Sequence, residues 1–111
     1  MSYDVVLKTT KMGDGEEALT KNLMLAFIHQ LTEKDEKPKN IILYGEGVKL
    51  AKKNSEAIND LIEMEKVGVN ILSCGICLDY FEISKKLGVG GVTTMEEVVN
   101  LLAASDNLIY P

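Results

Sequence analysis

The run Val69-Asn70-Ile71-Leu72-Ser73-Cys74-Gly75-Ile76-Cys77 shows most directly how this chain is organised. Its first five residues are mainly apolar and predict a buried strand, and its last four place two thiols on the turn that follows. A helix is predicted over residues 78–87, with Gly88 placed to end it. A buried strand, a turn and a helix in this order are typical of a parallel α/β sheet.

The rest of the chain alternates strands and helices in the same way. Apolar residues at spacings of three and four predict a helix over residues 16–33, with Asp14 as its cap. Thr94-Met95-Glu96-Glu97 is a capping-box pattern for a last helix that continues through Leu102. The remaining predicted elements are strands at 3–8, 40–44, 91–92 and 108–110, a helical turn at 48–52 and a helix at 55–66. Together they predict a single three-layer α/β domain over residues 1–111, with about five mainly parallel strands and helices on both faces.

The composition fits one soluble globular domain and excludes several classes of function. The 111 residues are 46% hydrophobic and 26% charged, and 17 acidic side chains outnumber 12 lysines to give a net charge of −5. The chain has no arginine, which argues against nucleic-acid binding. Its longest apolar run, residues 23–28, is far shorter than the ~20 residues that span a bilayer. Because its start lacks the features of a secretory signal, the protein is expected in the cytoplasm and away from membranes.

The two cysteines of Cys74-Gly75-Ile76-Cys77 are the candidate catalytic residues. In a reducing compartment a close cysteine pair more often serves catalysis, redox chemistry or metal binding than a structural disulfide. A thiol between a strand and a helix N-terminus is favoured as the thiolate, which is the nucleophilic form. The alternatives are two inert thiols, a zinc site that two chains would share, and a thioredoxin-like exchanger. Thioredoxin topology is disfavoured because the motif follows the third strand and the only prolines are Pro38 and Pro111.

The loops that follow the first three strands are predicted to meet at one edge of the sheet, where α/β proteins bind ligands. They supply glycines that let the backbone turn tightly or approach a ligand, and the helix after the cysteines adds two polar side chains. The candidate substrate-binding residues are Gly13, Gly15, Gly47, Gly75, Asp79 and Tyr80. The alternative for Gly13 and Gly15 is a tight turn with a helix cap, and for Asp79 and Tyr80 it is an ordinary place in the first helical turn. No metal site and no cofactor is expected.

Several stretches, in order along nearly the whole chain, resemble the DsrE-like sulfur-relay family, and within it the carboxy-terminal domain of YedF-type proteins linked to selenium metabolism. The matching stretches are Lys11-Met12-Gly13-Asp14-Gly15, Gly47-Val48-Lys49-Leu50, Gly68-Val69-Asn70-Ile71-Leu72-Ser73-Cys74-Gly75-Ile76-Cys77-Leu78-Asp79-Tyr80, Leu87-Gly88-Val89-Gly90 and Val92-Thr93-Thr94-Met95. The resemblance implies a doubly wound sheet of flavodoxin-like topology, frequent oligomerisation, and a cysteine that carries sulfane sulfur as a persulfide. The family's acceptor falls five residues after a Gly-Val pair, which assigns that role to Cys74. Cys77 matches the additional cysteine of the YedF-type branch.

The expected function is therefore that of an intracellular sulfur or selenium carrier, or a sulfurtransferase, that holds a persulfide at the CxxC motif. The alternatives are a non-catalytic oligomeric binding module and a dithiol/disulfide redox protein. YedF-type proteins usually carry an amino-terminal TusA-like domain, for which these 111 residues have no room. The resemblance thus implies separate donor and acceptor proteins, such as TusA-like proteins, together with a homo-oligomeric state.

Overall fold

A computed structural model describes residues 2–111 of the chain. Over this range the chain forms one sheet of five parallel strands, with four α-helices and one 3₁₀ helix. The strands are β1 Asp4–Leu7, β2 Asn40–Leu43, β3 Asn70–Cys74, β4 Gly91–Thr93 and β5 Leu108–Ile109. The helices are α1 Glu17–Glu33, the 3₁₀ helix Gly45–Ala51, α2 Ile58–Lys66, α3 Gly75–Tyr80 and α4 Met95–Ala104. The predicted parallel α/β class is confirmed.

The strands lie side by side in the order β4-β3-β2-β1-β5. The chain therefore moves in one direction from β1 to β4 and then crosses back to place β5 against the free edge of β1. Right-handed crossovers put α1, α2 and α3 on one face of such a sheet and α4 on the other, as predicted for a three-layer domain. The order differs from the 2-1-3-4-5 order of flavodoxin-like sheets, so that part of the expectation is wrong.

The core consists of apolar side chains that alternate along the strands and meet the helices on each face. On the face covered by α1 and α2, strand and helix residues form one buried cluster that includes Val5, Leu7, Ile41, Leu43, Ile71, Met24, Ile28, Leu61 and Met64. Val6 and Ile42 point to the other face and are equally buried, and α4 contributes Val98 there. Burial on both faces explains why the central strands are continuous apolar runs in the sequence.

Helix α3 ends seven residues earlier than the sequence predicts, because a Schellman motif closes it after Tyr80. The Ile83 N–H donates to the Leu78 carbonyl over 2.9 Å, and the Glu82 N–H donates to the Asp79 carbonyl over 3.1 Å. Glu82 adopts the left-handed conformation that this motif requires, with φ of 57°. Glycine usually fills this place, so a glutamate there gave no sign of the helix end. Leu78 and Ile83 are both buried and supply the apolar contact that accompanies the motif.

The helix starts agree only partly with their predicted caps. The Thr94 side chain accepts from the Glu97 N–H, as the capping-box pattern predicts. The predicted cap of α1 is wrong: the helix begins at Glu17, Glu16 holds the cap position without a side-chain hydrogen bond, and Asp14 lies in the exposed turn before it. The turn predicted at 48–52 belongs to the 3₁₀ helix, which begins three residues earlier.

The buried carboxylate of Asp4 holds the start of β1 in place, at the amino end of the strands and away from the cysteines. One oxygen of Asp4 accepts from the backbone N–H and the side-chain amide of Asn40, over 3.1 and 2.9 Å. The other accepts from the Ser105 hydroxyl over 2.5 Å, and the Asp4 N–H donates to the Asn107 carbonyl. The loop before β5 is thereby attached to the start of β1.

Across residues 2–111, every helix is too short or too polar to cross a membrane.

Candidate functional site

The two cysteines lie at the carboxyl end of β3 and differ in accessibility. Cys74 is the last residue of the strand, occupies the cap position of α3 and is only 1% exposed. Cys77 lies in the first turn of α3 and is half-buried. Both thiols are free. The structure therefore presents a dithiol in which Cys77 is the more accessible member.

Cys77 receives a hydrogen bond from the backbone of the neighbouring strand's loop. The Gly45 N–H donates to the Cys77 Sγ over 3.1 Å. β2 and β3 are paired with Leu43 beside Ser73, so the loops that follow these two strands begin next to each other. Gly45 has a φ of 58°, a left-handed conformation that glycine adopts without strain and that starts the 3₁₀ helix. The parallel register is thus what brings an N–H donor to the thiol.

The pKa of the Cys77 thiol is raised above its ordinary value. Burial is the largest cause, because it disfavours the charged thiolate. The Gly45 N–H acts in the opposite direction, and the nearby Cys74 thiol raises the pKa further. At Cys77 burial thus outweighs the backbone donor, and the thiolate expected of the thiol at the junction of β3 and α3 stays a prediction.

Two of the predicted substrate-binding glycines lie where chain segments pack closely near the site. A Cβ on Gly47 would lie 1.9 Å from the Leu7 carbonyl oxygen, so the 3₁₀ helix rests directly on the end of β1. A Cβ on Gly75 would lie 3.1 Å from the Val92 side chain, so α3 approaches β4 closely at its first residue. Both glycines let backbone segments meet around the cysteines, and contact with a ligand at either one stays a prediction.

The other predicted binding residues lie on exposed surfaces. Gly13 and Gly15 have positive φ and belong to the turn before α1, where a Cβ would meet only the side chains of Leu23 and Leu19. The positive φ values favour the tight-turn alternative for these two glycines. Asp79 accepts a hydrogen bond from the Ser84 hydroxyl over 2.6 Å, within the turn that ends α3.

Exposed apolar side chains surround the cysteines on α3 and β4. Tyr80 is 81% exposed, Ile76 is 68% exposed and Val92 is 60% exposed. Ile76 and Tyr80 are four residues apart and so share one side of α3, and Val92 lies on the neighbouring edge strand. Exposed apolar side chains of α3 and β4 therefore lie near the thiols on one side, and the charged Glu46 and Lys49 of the 3₁₀ helix follow Gly45 on the other.

Three residues near the site were not predicted from the sequence. Gly45 supplies the N–H donor, and Lys49 of the same 3₁₀ helix places its ammonium 4.4 Å from the centre of the Phe81 ring, one helical turn beyond Cys77. The Ser73 hydroxyl is buried and has no hydrogen-bond partner among the residues that the structure describes. A serine next to the cysteines in a mainly apolar strand was a signal that could have been noticed.

Metal binding and larger cavities do not centre on the cysteines. Within residues 2–111, no group of three or more His, Cys, Asp and Glu side chains is arranged to hold a metal ion. A cavity of about 490 Å³ lies at the opposite end of the sheet and is lined by residues such as Tyr3, Phe27 and Asn107.

The parallel sheet with two thiols at the carboxyl end of β3 makes this chain an α/β thiol protein. Comparison with known proteins gives its family. Residues 4–111 match the model of the DsrE/DsrF-like family, so the chain belongs to that family, which is associated with sulfur relay. No curated protein matches the chain in sequence.

Solved structures have the same fold. The ychN protein of E. coli has a TM-score of 0.71 at 16% identity, with all of both chains covered. MTH1491 of Methanobacterium thermoautotrophicum has a TM-score of 0.68 at 21% identity, covering 99% of this chain and 100% of its own. BT1422 of Bacteroides thetaiotaomicron has a TM-score of 0.69 at 20% identity, covering 99% of this chain and 94% of its own. The likeness at these identities establishes the fold.

Proposed function

We propose that this protein carries sulfane sulfur as a cysteine persulfide on its CxxC motif, as a sulfur carrier or sulfurtransferase. The observation that carries the proposal is the pair of free thiols at the carboxyl end of β3, in a member of a family associated with sulfur relay. Carboxyl ends of parallel strands are where α/β proteins place their reactive groups. A persulfide is a reversible modification of a reactive thiol and suits a carrier.

Loading is a transfer without net oxidation. The cysteine thiolate attacks the outer sulfur of a donor persulfide, and a new S–S bond forms between the cysteine Sγ and that sulfur. The S–S bond of the donor breaks, and its electron pair leaves with the donor thiolate. The thiolate is the attacking form, so the proton of the protein thiol is lost to solvent before the attack.

Cys77 is the thiol that meets the donor. Attack requires that the donor sulfur reach the Sγ atom, and Cys74 is almost completely buried whereas Cys77 is half-buried. The family resemblance assigns the acceptor role to Cys74, and the difference in exposure favours the other cysteine. Cys74 then acts as the second, resolving thiol.

The nearby thiol gives a route for release. Cys74, as thiolate, attacks the Sγ of loaded Cys77, forms the Cys74–Cys77 disulfide and expels the carried sulfur as hydrosulfide. The two cysteine sulfurs are oxidised and the carried sulfur is reduced, so the electrons balance. A cellular dithiol reductant then restores both thiols by disulfide exchange. Transfer to a partner thiolate, by the reverse of loading, needs no reductant.

Intact mass spectrometry after incubation with a persulfide donor tests the proposal. Cys74→Ser should gain one sulfur that a reductant removes, the wild type should show this sulfur or the Cys74–Cys77 disulfide left by its release, and Cys77→Ser and the double variant should gain none. If Cys77→Ser took up sulfur and Cys74→Ser did not, Cys74 would be the acceptor. No uptake by either single-cysteine variant would contradict the persulfide carrier.

The finer parts of the proposal concern partners and assembly. The donor and acceptor are separate proteins, such as TusA-like proteins, and selenium is carried in place of sulfur if the chain functions as YedF-type proteins do. The exposed Ile76, Tyr80 and Val92 support docking next to the thiols, against a partner or a second copy in a homo-oligomer. The acidic, arginine-free composition fits cytoplasmic protein partners better than nucleic acid.

A dithiol/disulfide redox protein is the second candidate. It is favoured by the closeness of the two thiols, which is sufficient for Cys74 to raise the pKa of Cys77. Such a protein would form the disulfide with an oxidised partner and would retain no added sulfur in either single-cysteine variant. The same mass measurement on Cys74→Ser therefore separates the two functions.

A further inference from the structure

We propose that Ser73 is a positioning residue, whose hydroxyl donates a hydrogen bond to the sulfur carried on Cys77. The inference rests on the proposed function and adds to it a residue that holds the sulfur after loading. Ser73 is the residue of β3 immediately before the CxxC motif.

The surroundings of Ser73 do not explain a hydroxyl at this position. Its side chain is 0% exposed, and its Oγ has no hydrogen-bond partner among residues 2–111. Its strand neighbours in the paired register are Leu43 of β2 and Val92 of β4, which are apolar. Most buried polar groups in proteins are hydrogen-bonded, and leaving one unpaired costs free energy. Alanine would therefore suit the resting fold better than serine.

The position of Ser73 places this unused donor beside the sulfur site. Strand alternation puts its side chain on the same face as Leu43 and Ile71, and Cys77 packs against the buried cluster on that face. The register partner Leu43 lies two residues before Gly45, whose N–H donates to the Cys77 Sγ. Ser73 and Gly45 thus approach the Cys77 end of the site from two adjacent strands.

Loading changes what the site requires. The resting Cys77 is mainly a thiol, since burial raises its pKa, and one N–H donor serves it. The persulfide adds one sulfur atom that carries negative charge next to the half-buried Cys77 Sγ, so a second donor becomes valuable. Ser73 is unpaired in the resting protein and is paired in the loaded protein. The serine is therefore selected for the loaded state at the expense of the resting one.

Ser73→Ala is the test, and its two expected effects have opposite signs. The unloaded variant should be at least as stable as the wild type in urea unfolding, because an unpaired buried hydroxyl is removed. After loading with a persulfide donor, the variant should lose its sulfur about tenfold faster, the effect of removing one charge-assisted hydrogen bond. Mass spectrometry over time, with excess donor removed, gives both half-lives.

A matched control is Thr20→Val, which removes a buried hydroxyl that already has partners in the Glu16 and Glu17 carbonyls. It should change stability and leave the lifetime of the carried sulfur unchanged. Equal sulfur lifetimes in Ser73→Ala and the wild type would overturn the inference while leaving the carrier function intact. An unloaded Ser73→Ala that is clearly less stable than the wild type would also overturn it, since the hydroxyl would then be paired in the resting fold. Absence of sulfur uptake by both Cys74→Ser and Cys77→Ser would instead contradict the carrier function itself.

Discussion

Replacing Gly47 by alanine should destabilise the fold and alter Cys77 at the same time. A Cβ at this position would lie 1.9 Å from the Leu7 carbonyl oxygen and 2.7 Å from its carbon, whereas ordinary contact begins at 3.4 Å. Both atoms belong to the backbone of the interior strand β1, which cannot rotate away as a side chain would. The 3₁₀ helix must therefore move away from the strand by about 1.5 Å, the difference between 3.4 and 1.9 Å.

The magnitude follows from the cost of overpacking a buried site, which is typically ~1–3 kcal/mol. For a domain of this size, 1 kcal/mol lowers the Tm by roughly 4 °C, so a decrease of about 4–12 °C is expected. The turn moves as a unit, because the Gly47 N–H donates to the Tyr44 carbonyl over 3.0 Å. Gly45 is then drawn away from the Cys77 Sγ, and losing that N–H donor raises the pKa of Cys77 further.

Thermal unfolding followed by circular dichroism measures the first effect, and the pH dependence of thiol alkylation in Cys74→Ser measures the second. Gly91→Ala is the matched control, because a Cβ there meets no atom within 4 Å and its φ is not in the left-handed region. The control should melt with the wild type. If Gly47→Ala also melted with the wild type, the contact between the 3₁₀ helix and β1 would not be what Gly47 is needed for.

Three other outcomes are expected. Because burial raises the pKa of Cys77, alkylation should still be accelerating at a pH where a free cysteine has levelled off. The raised pKa of Cys77 also stabilises the folded state at pH values below the ordinary cysteine pKa, and this stabilisation is lost as the pH rises through the raised pKa of the folded state. Urea unfolding should show this loss of stability in the wild type and not in Cys77→Ser. Equal pH profiles for the two proteins would contradict the prediction. Glu82→Gly should stabilise the protein by about 0.5–1 kcal/mol, since it removes left-handed strain from the Schellman motif. Glu82→Ala retains that strain, so equal gains in both variants would point to the lost charge instead.

Local signals in the sequence were sufficient for most of the elements and for the place of the cysteines. The apolar run before Cys74 predicts β3, and the Thr94 pattern predicts the start of α4, because both depend on neighbouring residues alone. The end of α3 could not be predicted, since Glu82 adopts a conformation that its residue type disfavours. The order of the strands also depends on which edge β5 joins, which no local pattern specifies.

The properties of the thiols were hidden for a different reason. The exposure of Cys77, its raised pKa and its N–H donor all depend on the loop after β2, which is 32 residues away in sequence. Gly47 was predicted as a binding residue, but the need for glycine at this position comes from its contact with Leu7 at the end of β1. Sequence identifies the reactive residue type, and the neighbouring strands determine how it behaves.

The pairing of β5 with β1 has a consequence for how the chain is made. Leu108 lies beside Asp4, so β5 pairs with an edge of β1 that stays open until about a hundred further residues have been synthesised. Until then the backbone of β1 is unpaired on that side, and one oxygen of Asp4 lacks its Ser105 partner. The β1–β2–β3 core can assemble first from contacts nearer in sequence, whereas the closing step joins residues about a hundred positions apart. The cysteine site, built on β2 and β3, therefore belongs to the part of the molecule that is able to form before the sheet is closed.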